Sequence, residues 1–300
     1  MDFASYPQFW VLFALLSAFF HASRLAVTKH LSLTLSARAL TLYVNLASLA
    51  VTLPLVVWHH DIPFGDPIYV GAVLAGGVLS GLGGWSLNVA IKRSEVSLVG
   101  PIMTLTPGFV VVVEWLVTGD RPGPFGFAGL ALLVVGGYVL SIDEEEVGWR
   151  KPLVRMVTDP GSVFTLAAAF CFAAASTFGR VGIQLSDPLS FAVVVAIVNP
   201  VVLFVMFSLQ DHRFYREVLP PDLARQTKPL LLLGVLFALM RIADQLALSL
   251  TLASYAMAVK RTAGLFSVVL GHWFFHERRT AAKLAGSGIM LLGLFVLIQI

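Results

Sequence analysis

Four cationic side chains, Arg24, Arg241, Lys260 and Arg261, stand well inside long apolar stretches of the sequence, where a charge is costly unless it serves a site or a pair. The carboxylates of Asp244 and Glu114 also stand within such stretches. A guanidinium is not neutralised by deprotonation in a protein, so an embedded arginine keeps its charge. If these groups share one site, their excess of positive charge favours an anion, or the carboxylate end of a zwitterion such as an amino acid.

Uncharged polar and aromatic residues accompany these charges, often at intervals of three or four residues. His21, Arg24 and Thr28 follow one such pattern, and Arg241 and Asp244 follow another. Residues three or four apart share one face of a helix, so we expect several helices to turn a polar face toward a common, water-accessible cavity. The predicted substrate-binding residues are Arg24, Asn45, Trp85, Asn88, Arg241, Asp244, Tyr255, Lys260 and Arg261.

Three ionisable residues, His21, Glu114 and Asp244, are candidates for carrying a coupling proton. Each also has a structural interpretation. Arg241 and Asp244 could neutralise one another as an ion pair, and His21 could be a hydrogen-bonded packing residue. Glu114 is within two turns of a predicted helix end and could reach water, which favours a structural role. No catalytic residue or metal ligand is predicted, and the His-His-Asp run at residues 59–61 is interpreted as a solvated loop.

The composition is that of a membrane protein. Apolar residues make up 58% of the 300 residues and charged residues 12%, against about 45–50% and about 25% in soluble domains. The net charge of +3 is small and most basic residues fall between apolar runs, which disfavours nucleic-acid binding. The one cysteine, Cys171, lies in an apolar run, and no cofactor is predicted.

Ten apolar runs have about the 17–25 residues that a helix needs to cross a bilayer. We therefore predict an all-α membrane protein with ten transmembrane helices, joined mostly by short connections. A connecting loop at residues 143–161 divides the chain into an N-terminal half, residues 1–142, and a C-terminal half, residues 162–300. The predicted helices cover residues 9–28, 36–58, 69–91, 96–118, 124–142, 162–184, 188–209, 229–250, 252–275 and 280–300.

The two halves are related by an internal repeat. Residues 252–297 align without a gap on residues 95–140 at an offset of 157, which places Glu277 on Asp120, and near the beginnings of the halves the offset is 151. Because each half has five spans, an odd number, the second half must cross the membrane in the opposite sense. Inverted repeats of this kind typically form a site near the membrane midplane, which rocking of the halves exposes to each side in turn.

Two segments of the repeat resemble the EamA-type permeases of the drug/metabolite transporter superfamily. Residues 259–297, VKRTAGLFSVVLGHWFFHERRTAAKLAGSGIMLLGLFVL, are similar to the family's C-terminal copy, and residues 94–140 to its N-terminal copy. The chain departs from the family pattern at His276, Asp120 and Gly264, where a turn glycine, a glutamate and a proline are usual. The resemblance implies ten helices in two inverted five-helix halves and carriage of small metabolites. Members carry amino acids, nucleotide sugars, sugar phosphates or cations, so it does not imply one substrate.

Lys260 and Arg261 are the residues expected to matter most for binding. Counted from the start of the predicted ninth helix, they lie about 13 Å deep, close to the membrane midplane. They resemble a Lys-Arg pair that plastid sugar-phosphate translocators of the same superfamily use at this point to hold phosphate. The preceding residues 257–259, Met-Ala-Val, share only the valine with that group, and many EamA-like permeases of other substrate have the pair. Specificity for phosphate therefore does not follow from it.

Together these patterns indicate a secondary transporter, or permease, that moves a small polar metabolite, either an amino acid or an organic or phosphorylated anion, by alternating access. No G-x-x-x-x-G-K-[ST] loop occurs, which disfavours an ATP-driven pump. No H-E-x-x-H or G-x-S-x-G motif occurs either, which disfavours an intramembrane enzyme; export of organic cations or drugs is the alternative. The expected partners are the substrate, the lipid bilayer, and a coupling proton or counter-substrate, with monomer and homodimer both open.

The Lys and Arg residues of the loops predict an orientation in the cell membrane. One face holds Arg121, with Arg180 close to it, and the other holds fourteen such residues. Because Lys and Arg stay on the cytoplasmic side, both termini are predicted to be extracytoplasmic, whereas the resemblance to ten-helix relatives implies both termini inside. The fourteen residues are Lys29, Arg38, Lys92, Arg93, Arg150, Lys151, Arg155, Arg213, Arg216, Arg225, Lys228, Arg278, Arg279 and Lys283.

Overall fold

All regular secondary structure in the described part of the chain is helical, as the apolar runs predict. The structure is a computed structural model that describes residues 9–54, 62–93, 99, 102–140, 160–210, 214, 223–266, 269 and 281–299. Ten helices follow one another in these ranges: α1 (Phe9–Leu31), α2 (Ala37–Thr52), α3 (Pro67–Arg93), α4 (Thr106–Thr118), α5 (Pro124–Leu140), α6 (Pro160–Leu185), α7 (Pro188–Gln210), α8 (Leu223–Leu250), α9 (Ala253–Lys260) and α10 (Ala281–Ile298).

Four of these helices are long and apolar enough, by length and composition, to cross a membrane: α3, α7 and the greater parts of α6 and α8. Apolar stretches of 10–17 residues lie in α1, α2, α4, α5 and α10. Large apolar side chains such as Leu116, Phe125 and Leu209 are exposed on the outer surface, as expected where lipid covers the protein. The sequence predicted ten full spans; α1, α3, α6, α7 and α8 are at least as long as predicted, and within the described residues the fourth and ninth predicted spans are interrupted.

The predicted ninth span, residues 252–275, is not one continuous helix. α9 ends at Lys260, and Arg261 and Thr262 form a turn before helical residues resume. The backbone N–H groups of Arg261 and Thr262 donate to carbonyls three residues back, at 3.0 and 2.9 Å. The Thr262 hydroxyl donates to the Val259 carbonyl at 2.7 Å. Such three-residue bonds tighten a helix, so Lys260 and Arg261 lie at a helix end.

The predicted fourth span, residues 96–118, has a similar interruption. α4 begins at Thr106, after a turn at Thr104 and Leu105. The Leu105 N–H donates to the carbonyl three residues back at 3.1 Å, and the Thr106 hydroxyl donates to the Met103 carbonyl at 2.7 Å. The beginning of this span is therefore also broken near a threonine whose hydroxyl bonds to the backbone three residues earlier.

Helix boundaries follow the offset found in the sequence. α3 and α8 end at Arg93 and Leu250, and α5 and α10 begin at Pro124 and Ala281. The turns at residues 104–105 and 261–262 are separated by the same 157 positions. The sequence repeat is thus accompanied by matching helix ends and by matching helix breaks.

α5 and α10 approach each other closely through glycines, as small residues permit in membrane proteins. A Cβ atom built on Gly129 would lie 3.2 Å from the carbonyl oxygen of Gly293, and one built on Gly293 would lie 3.0 Å from that of Gly129. A Cβ atom on Gly136 would lie 2.9 Å from the carbonyl oxygen of Gly286. At the offset of 157, Gly129 corresponds to Gly286 and Gly136 to Gly293. The contacts 129–293 and 136–286 therefore exchange places when the halves are exchanged.

The central helices pack between the two halves. α1 packs against α8 and α9, and α3 packs against α6 and α7. α2 lies against α7 and α8, and α4 lies against α6 and α9. This arrangement brings residues of α1, α2, α3, α6, α7, α8 and α9 around one central space.

Candidate functional site

A cavity of about 130 Å³ lies at this centre. A buried water needs about 10–15 Å³ measured in this way, so the cavity can hold several waters or a small organic solute. Its wall includes apolar residues and a large polar portion. The polar and charged residues that line it are His21, Arg24, Thr28, Thr41, Asn45, Ser80, Asn88, Ser176, Asn199, Arg241, Asp244, Gln245, Lys260 and Arg261.

The four cations predicted to bind substrate all line this cavity. Arg24 comes from α1, Arg241 from α8, Lys260 from the last turn of α9, and Arg261 from the turn that follows. Asp244 is the one carboxylate among the described lining residues. The structure thus brings together eight of the predicted site residues, namely His21, Arg24, Asn45, Asn88, Arg241, Asp244, Lys260 and Arg261.

Asp244 pairs with Lys260 rather than with Arg241. One carboxylate oxygen accepts from the Lys260 ammonium group, in an ion pair, and the other accepts from the Ser17 hydroxyl. Both oxygens of Asp244 are therefore engaged by α9 and α1. The described ion pairs do not include one between Arg241 and Asp244. They therefore do not support the alternative interpretation of these two residues as a purely structural pair.

Arg241 is held by asparagines instead. Its guanidinium donates to the side-chain oxygen of Asn45 at 3.4 Å. In the amide orientation that gives both polar atoms of Asn199 complementary partners, the Asn199 oxygen accepts from Arg241 at 3.2 Å and its nitrogen donates to the Gly77 carbonyl at 3.0 Å. Ser80 lies within hydrogen-bonding distance of Asn199. Asn199 is not among the site residues predicted from the sequence, and the signal that could have identified it is a polar residue followed by proline inside an apolar helix.

Two guanidinium donors on side chains that line the cavity, the Nε atoms of Arg24 and Arg261, are buried without a hydrogen-bond partner in the described part of the chain. The buried Nδ1 atom of His21 also has no partner there. Arg24 and Arg241 both lie over the ring of Phe237, with the guanidinium carbons 4.9 and 5.4 Å from its centroid. Buried polar groups without partners are costly. An anion that accepts hydrogen bonds from the two guanidinium groups of Arg24 and Arg261 would therefore recover the free energy that their missing bonds cost.

Arg261 also connects the two helix breaks. Its guanidinium donates to the backbone carbonyl of Met103, at 3.3 Å. Met103 precedes the turn at residues 104–105, and Arg261 is in the corresponding turn of the other half. The two interrupted helices therefore meet at the cavity.

Trp85 and Tyr255 were predicted to bind substrate, and the structure places both outside the cavity lining. The Trp85 ring packs against Phe164 and Phe207, with centroids 6.3 and 6.1 Å away. The Tyr255 hydroxyl accepts from the backbone N–H of Gly123 at 3.3 Å. Each side chain shares its helix with cavity residues but points to a neighbouring helix or loop.

Glu114, predicted as a possible proton carrier, is fully buried and does not line the cavity. Its carboxylate accepts from the backbone N–H groups of Ala253 and Ser254, at 2.8 and 3.1 Å, and forms an ion pair with Arg180 at 3.3 Å. An anion at a helix N-terminus is stabilised by the unpaired N–H groups and the helix dipole. Glu114 therefore holds the beginning of α9 against α4 and α6.

A second carboxylate, that of Asp120, belongs to the same network as Glu114 and Arg180. Asp120, in the connection between α4 and α5, forms an ion pair with Arg180 at 2.5 Å. Arg180 also donates to the Thr251 carbonyl at 3.1 Å. The hydrogen bond from Arg180 lowers the pKa of Asp120 below its usual 3.8. These contacts tie together the connections α4–α5 and α8–α9.

The histidines at residues 59–60 and 272 lie outside the described residues. Within the ranges that the structure describes, no group of three or more His, Cys, Asp or Glu side chains is arranged to hold a metal ion. Cys171 is a free, half-buried thiol.

Comparison with known proteins identifies the fold. The family model described as EamA-like transporter family matches residues 8–142 and 159–299. A solved structure titled only as the crystal structure of a protein superposes with a TM-score of 0.74, at 17% sequence identity, and covers 98% of this chain and 96% of its own. At that identity the likeness shows the fold alone. No curated protein matches the sequence.

Proposed function

The chain belongs to the EamA-like transporter family, and on that premise we propose that it is a secondary transporter that moves a small organic anion across the membrane by alternating access. The anion is an amino acid carboxylate or an organic or phosphorylated acid. The observation that carries this proposal is the charge of the cavity. Within the described part of the chain, four cations and one carboxylate line it, and the carboxylate is already paired with Lys260.

Electrostatics explains why such a cavity favours an anion. Arg24, Arg241 and Arg261 have no carboxylate partner among the described ion pairs. Fixed like charges in a site of low dielectric repel one another and attract an ion of opposite sign. We assign contact with the anionic group to Lys260, Arg261, Arg24 and Arg241, and orientation of the substrate to Asn45 and Asn88. An organic cation would have to displace Lys260 from Asp244 while facing the remaining cations.

Alternating access is supported by the symmetry of the contacts. The reciprocal contacts of α5 and α10, Gly129 with Gly293 and Gly136 with Gly286, are those expected of two-fold related copies. The matched breaks at residues 104–105 and 261–262 support the same arrangement. We propose that residues 1–142 and 162–300 are inverted five-helix repeats, joined by residues 143–161, and that their rocking exposes the cavity to each side.

Coupling to protons is proposed through Asp244 and His21, which both line the cavity. A proton on Asp244 would release Lys260 to bind the substrate's anionic group. His21 has an unpartnered buried nitrogen and lies in the same wall. Exchange against a second solute is the other energy source compatible with this family, and a pH gradient across liposomes separates the two.

We place the protein in the cell membrane as a multi-pass protein with both termini extracytoplasmic, because fourteen loop Lys and Arg residues lie on one predicted face and two on or near the other. A cysteine introduced at the C-terminus and labelled with a membrane-impermeant reagent in intact cells tests this orientation. Labelling only after lysis would show that the C-terminus is cytoplasmic and would reverse the proposed orientation.

Solute counterflow in liposomes tests the proposed function. Purified protein is reconstituted in vesicles loaded with unlabelled solute, and labelled amino acids, monocarboxylates, phosphorylated acids and organic cations are added outside in separate assays. Transient accumulation of a labelled anion is expected. Counterflow of cations alone would overturn the anion assignment, and chemical conversion without flux would identify an enzyme.

A further inference from the structure

The charges of the cavity all lie on one of its walls. Arg24 comes from α1, Arg241 and Asp244 from α8, and Lys260 and Arg261 from the end of α9, and every charged residue among the described lining residues belongs to this set. α1 packs against both α8 and α9. These elements therefore form one continuous charged wall.

The wall built by α3, α6 and the segment before α4 is uncharged within the described lining, although the Arg261 guanidinium contacts it at the Met103 carbonyl. It contributes Gly84, Leu87, Met103, Phe172 and Ala175. Its three polar side chains, Ser80, Asn88 and Ser176, are bonded within the protein, and Ser80 is bonded to Asn199 and to the Gly77 carbonyl. The Ser176 hydroxyl donates to the Phe172 carbonyl at 2.6 Å, and the Asn88 amide donates to the Thr41 hydroxyl at 2.7 Å. This wall offers mainly apolar contact to a ligand.

The repeat shows that this asymmetry comes from side chains and not from the fold. At the offset of 157, Arg241 corresponds to Gly84, Asp244 to Leu87, and Lys260 to Met103. At the offset of 151 that relates α1 to α6, His21 corresponds to Phe172 and Arg24 to Ala175. All ten of these residues line the cavity. Equivalent positions therefore line the cavity on both walls, and the charged residues among them all belong to one wall.

We propose that the substrate is an amphiphilic anion with a single charged end, whose carboxylate or phosphate binds the α1/α8/α9 wall and whose apolar body packs on the α3/α6 wall. This inference rests on the proposed function and narrows its substrate class. A second anionic group at the far end would lie on a wall with no charge to receive it, and burying an unpaired charge is costly. Dicarboxylates, free phosphate and heavily hydroxylated sugar phosphates are therefore poor ligands.

Matched ligands test the two-wall assignment directly. Hexanoate and adipate have the same six-carbon chain and differ by a second carboxylate, and acetate has the same head with almost no apolar body. Binding is measured as the ligand-dependent rise in the melting temperature of the purified protein. Each buried methylene contributes about 0.8 kcal/mol, or about fourfold in affinity, so hexanoate should bind at least tenfold more tightly than acetate. Hexanoate should also bind at least tenfold more tightly than adipate, because the second carboxylate of adipate would be buried without a partner. Pentyl phosphate in place of hexanoate distinguishes a phosphate head from a carboxylate head.

Two substitutions at one position separate charge from size. Ala175 is the uncharged counterpart of Arg24 and lies half-buried on the apolar wall. Ala175→Lys is expected to raise the affinity for adipate relative to hexanoate by at least tenfold, because it supplies a cation for the second carboxylate. Ala175→Leu is the size control, and it should weaken hexanoate binding without improving adipate. Arg24→Met should lose the response to hexanoate, which excludes partition of the ligand into detergent.

The outcomes distinguish this inference from the proposed function. Equal or tighter binding of adipate to the unsubstituted protein, affinity independent of chain length, or no response to any anion would each overturn the single-headed substrate. Binding of hexanoate without counterflow of labelled hexanoate would overturn transport and leave the assignment of the two walls intact. Counterflow of labelled adipate in preference to hexanoate would overturn the assignment of the walls and leave transport intact.

Discussion

Lys260 on α9 forms an ion pair with Asp244 on α8 inside the cavity wall. Asp244 accepts a further hydrogen bond from Ser17 on α1, so this carboxylate joins three helices. The carboxylate is also bonded to Lys260, a cation that we assign to substrate binding. An incoming anion therefore competes with Asp244 for Lys260, which makes the pair a natural element of both binding and coupling.

Replacing Lys260 by alanine should abolish transport and leave expression intact. The substitution removes the one ammonium group among the described lining residues and frees Asp244, whose negative charge then opposes an anion. Lys228→Ala is the matched control, because Lys228 is exposed near the beginning of α8 and lies outside the described cavity lining. Initial rates of uptake into liposomes check this, and normal flux in Lys260→Ala would reassign the residue to a structural role.

Stability should show that Lys260 and Asp244 are coupled. Breaking a buried pair by removing one partner typically costs about 3–5 kcal/mol, because the other charge is left uncompensated. Asp244→Asn and Lys260→Met should each lower the melting temperature, and the double variant should be more stable than the sum of the two losses predicts. Strictly additive losses, measured by thermal unfolding in detergent, would show that the two groups do not interact.

Glu114→Gln should reduce stability without changing the pH dependence of transport. The glutamine loses the charge that Arg180 and the N–H groups at the beginning of α9 require, and an unsatisfied buried group costs about 1–3 kcal/mol. Asp66→Asn, at the exposed N-terminus of α3, is a control with a smaller expected loss. A flattened pH profile in Glu114→Gln, with an unchanged melting temperature, would restore the hypothesis that Glu114 carries a coupling proton.

The pair of Asp120 with Arg180 should give a stability contribution that is lost in acid. Because the pKa of Asp120 is lowered by folding, this contribution is complete above the unfolded-state pKa of about 4 and disappears as the pH falls through the lower folded-state pKa. Asp120 is 43% exposed, so the effect is small, on the order of the 0.2–1 kcal/mol of exposed pairs. Melting temperatures of the unsubstituted protein and Asp120→Asn should differ at pH 7 and converge below about pH 4. A difference that persists or grows in acid would exclude this ion pair as its origin.

Gly286→Ala should destabilise the packing of α5 on α10. The new Cβ atom would collide with the backbone of Leu140, so the two helices must move apart, and such overpacking typically costs about 1–3 kcal/mol. Gly288→Ala on the same helix is the control, because a Cβ atom there meets nothing within 4 Å. Thermal unfolding compares the two, and equal melting temperatures would mean that the close approach of the helices is not required.

The sequence predicted the helical class, the repeat and most of the charged site, for physical reasons that can be named. Apolar runs define α3 and α7 because a membrane helix satisfies its own backbone and exposes apolar side chains. The embedded charges Arg24, Arg241, Lys260 and Arg261 were found because a charge in an apolar run is rare. All four line the cavity.

Other features depend on tertiary contacts that spacing does not encode. Trp85 and Asn88 are three residues apart on α3, yet only Asn88 faces the cavity, since the Trp85 ring is taken up by Phe164 and Phe207. The break after α9 involves the Thr262 hydroxyl, which competes for a backbone carbonyl, and a threonine in a helix usually does this without interrupting it. Helical periodicity indicates which residues share a face, and the neighbouring helix decides what that face contacts.

Two-sided accessibility of the cavity tests alternating access most directly. In a Cys171→Ser background, Ser176→Cys places one thiol on the cavity wall, and a membrane-impermeant maleimide is applied from either side of oriented vesicles with and without a transported anion. We predict that the thiol is labelled from both sides and that the anion shifts the ratio of the two rates. Labelling from one side only, unchanged under all transport conditions, would contradict a cavity that opens to each side in turn.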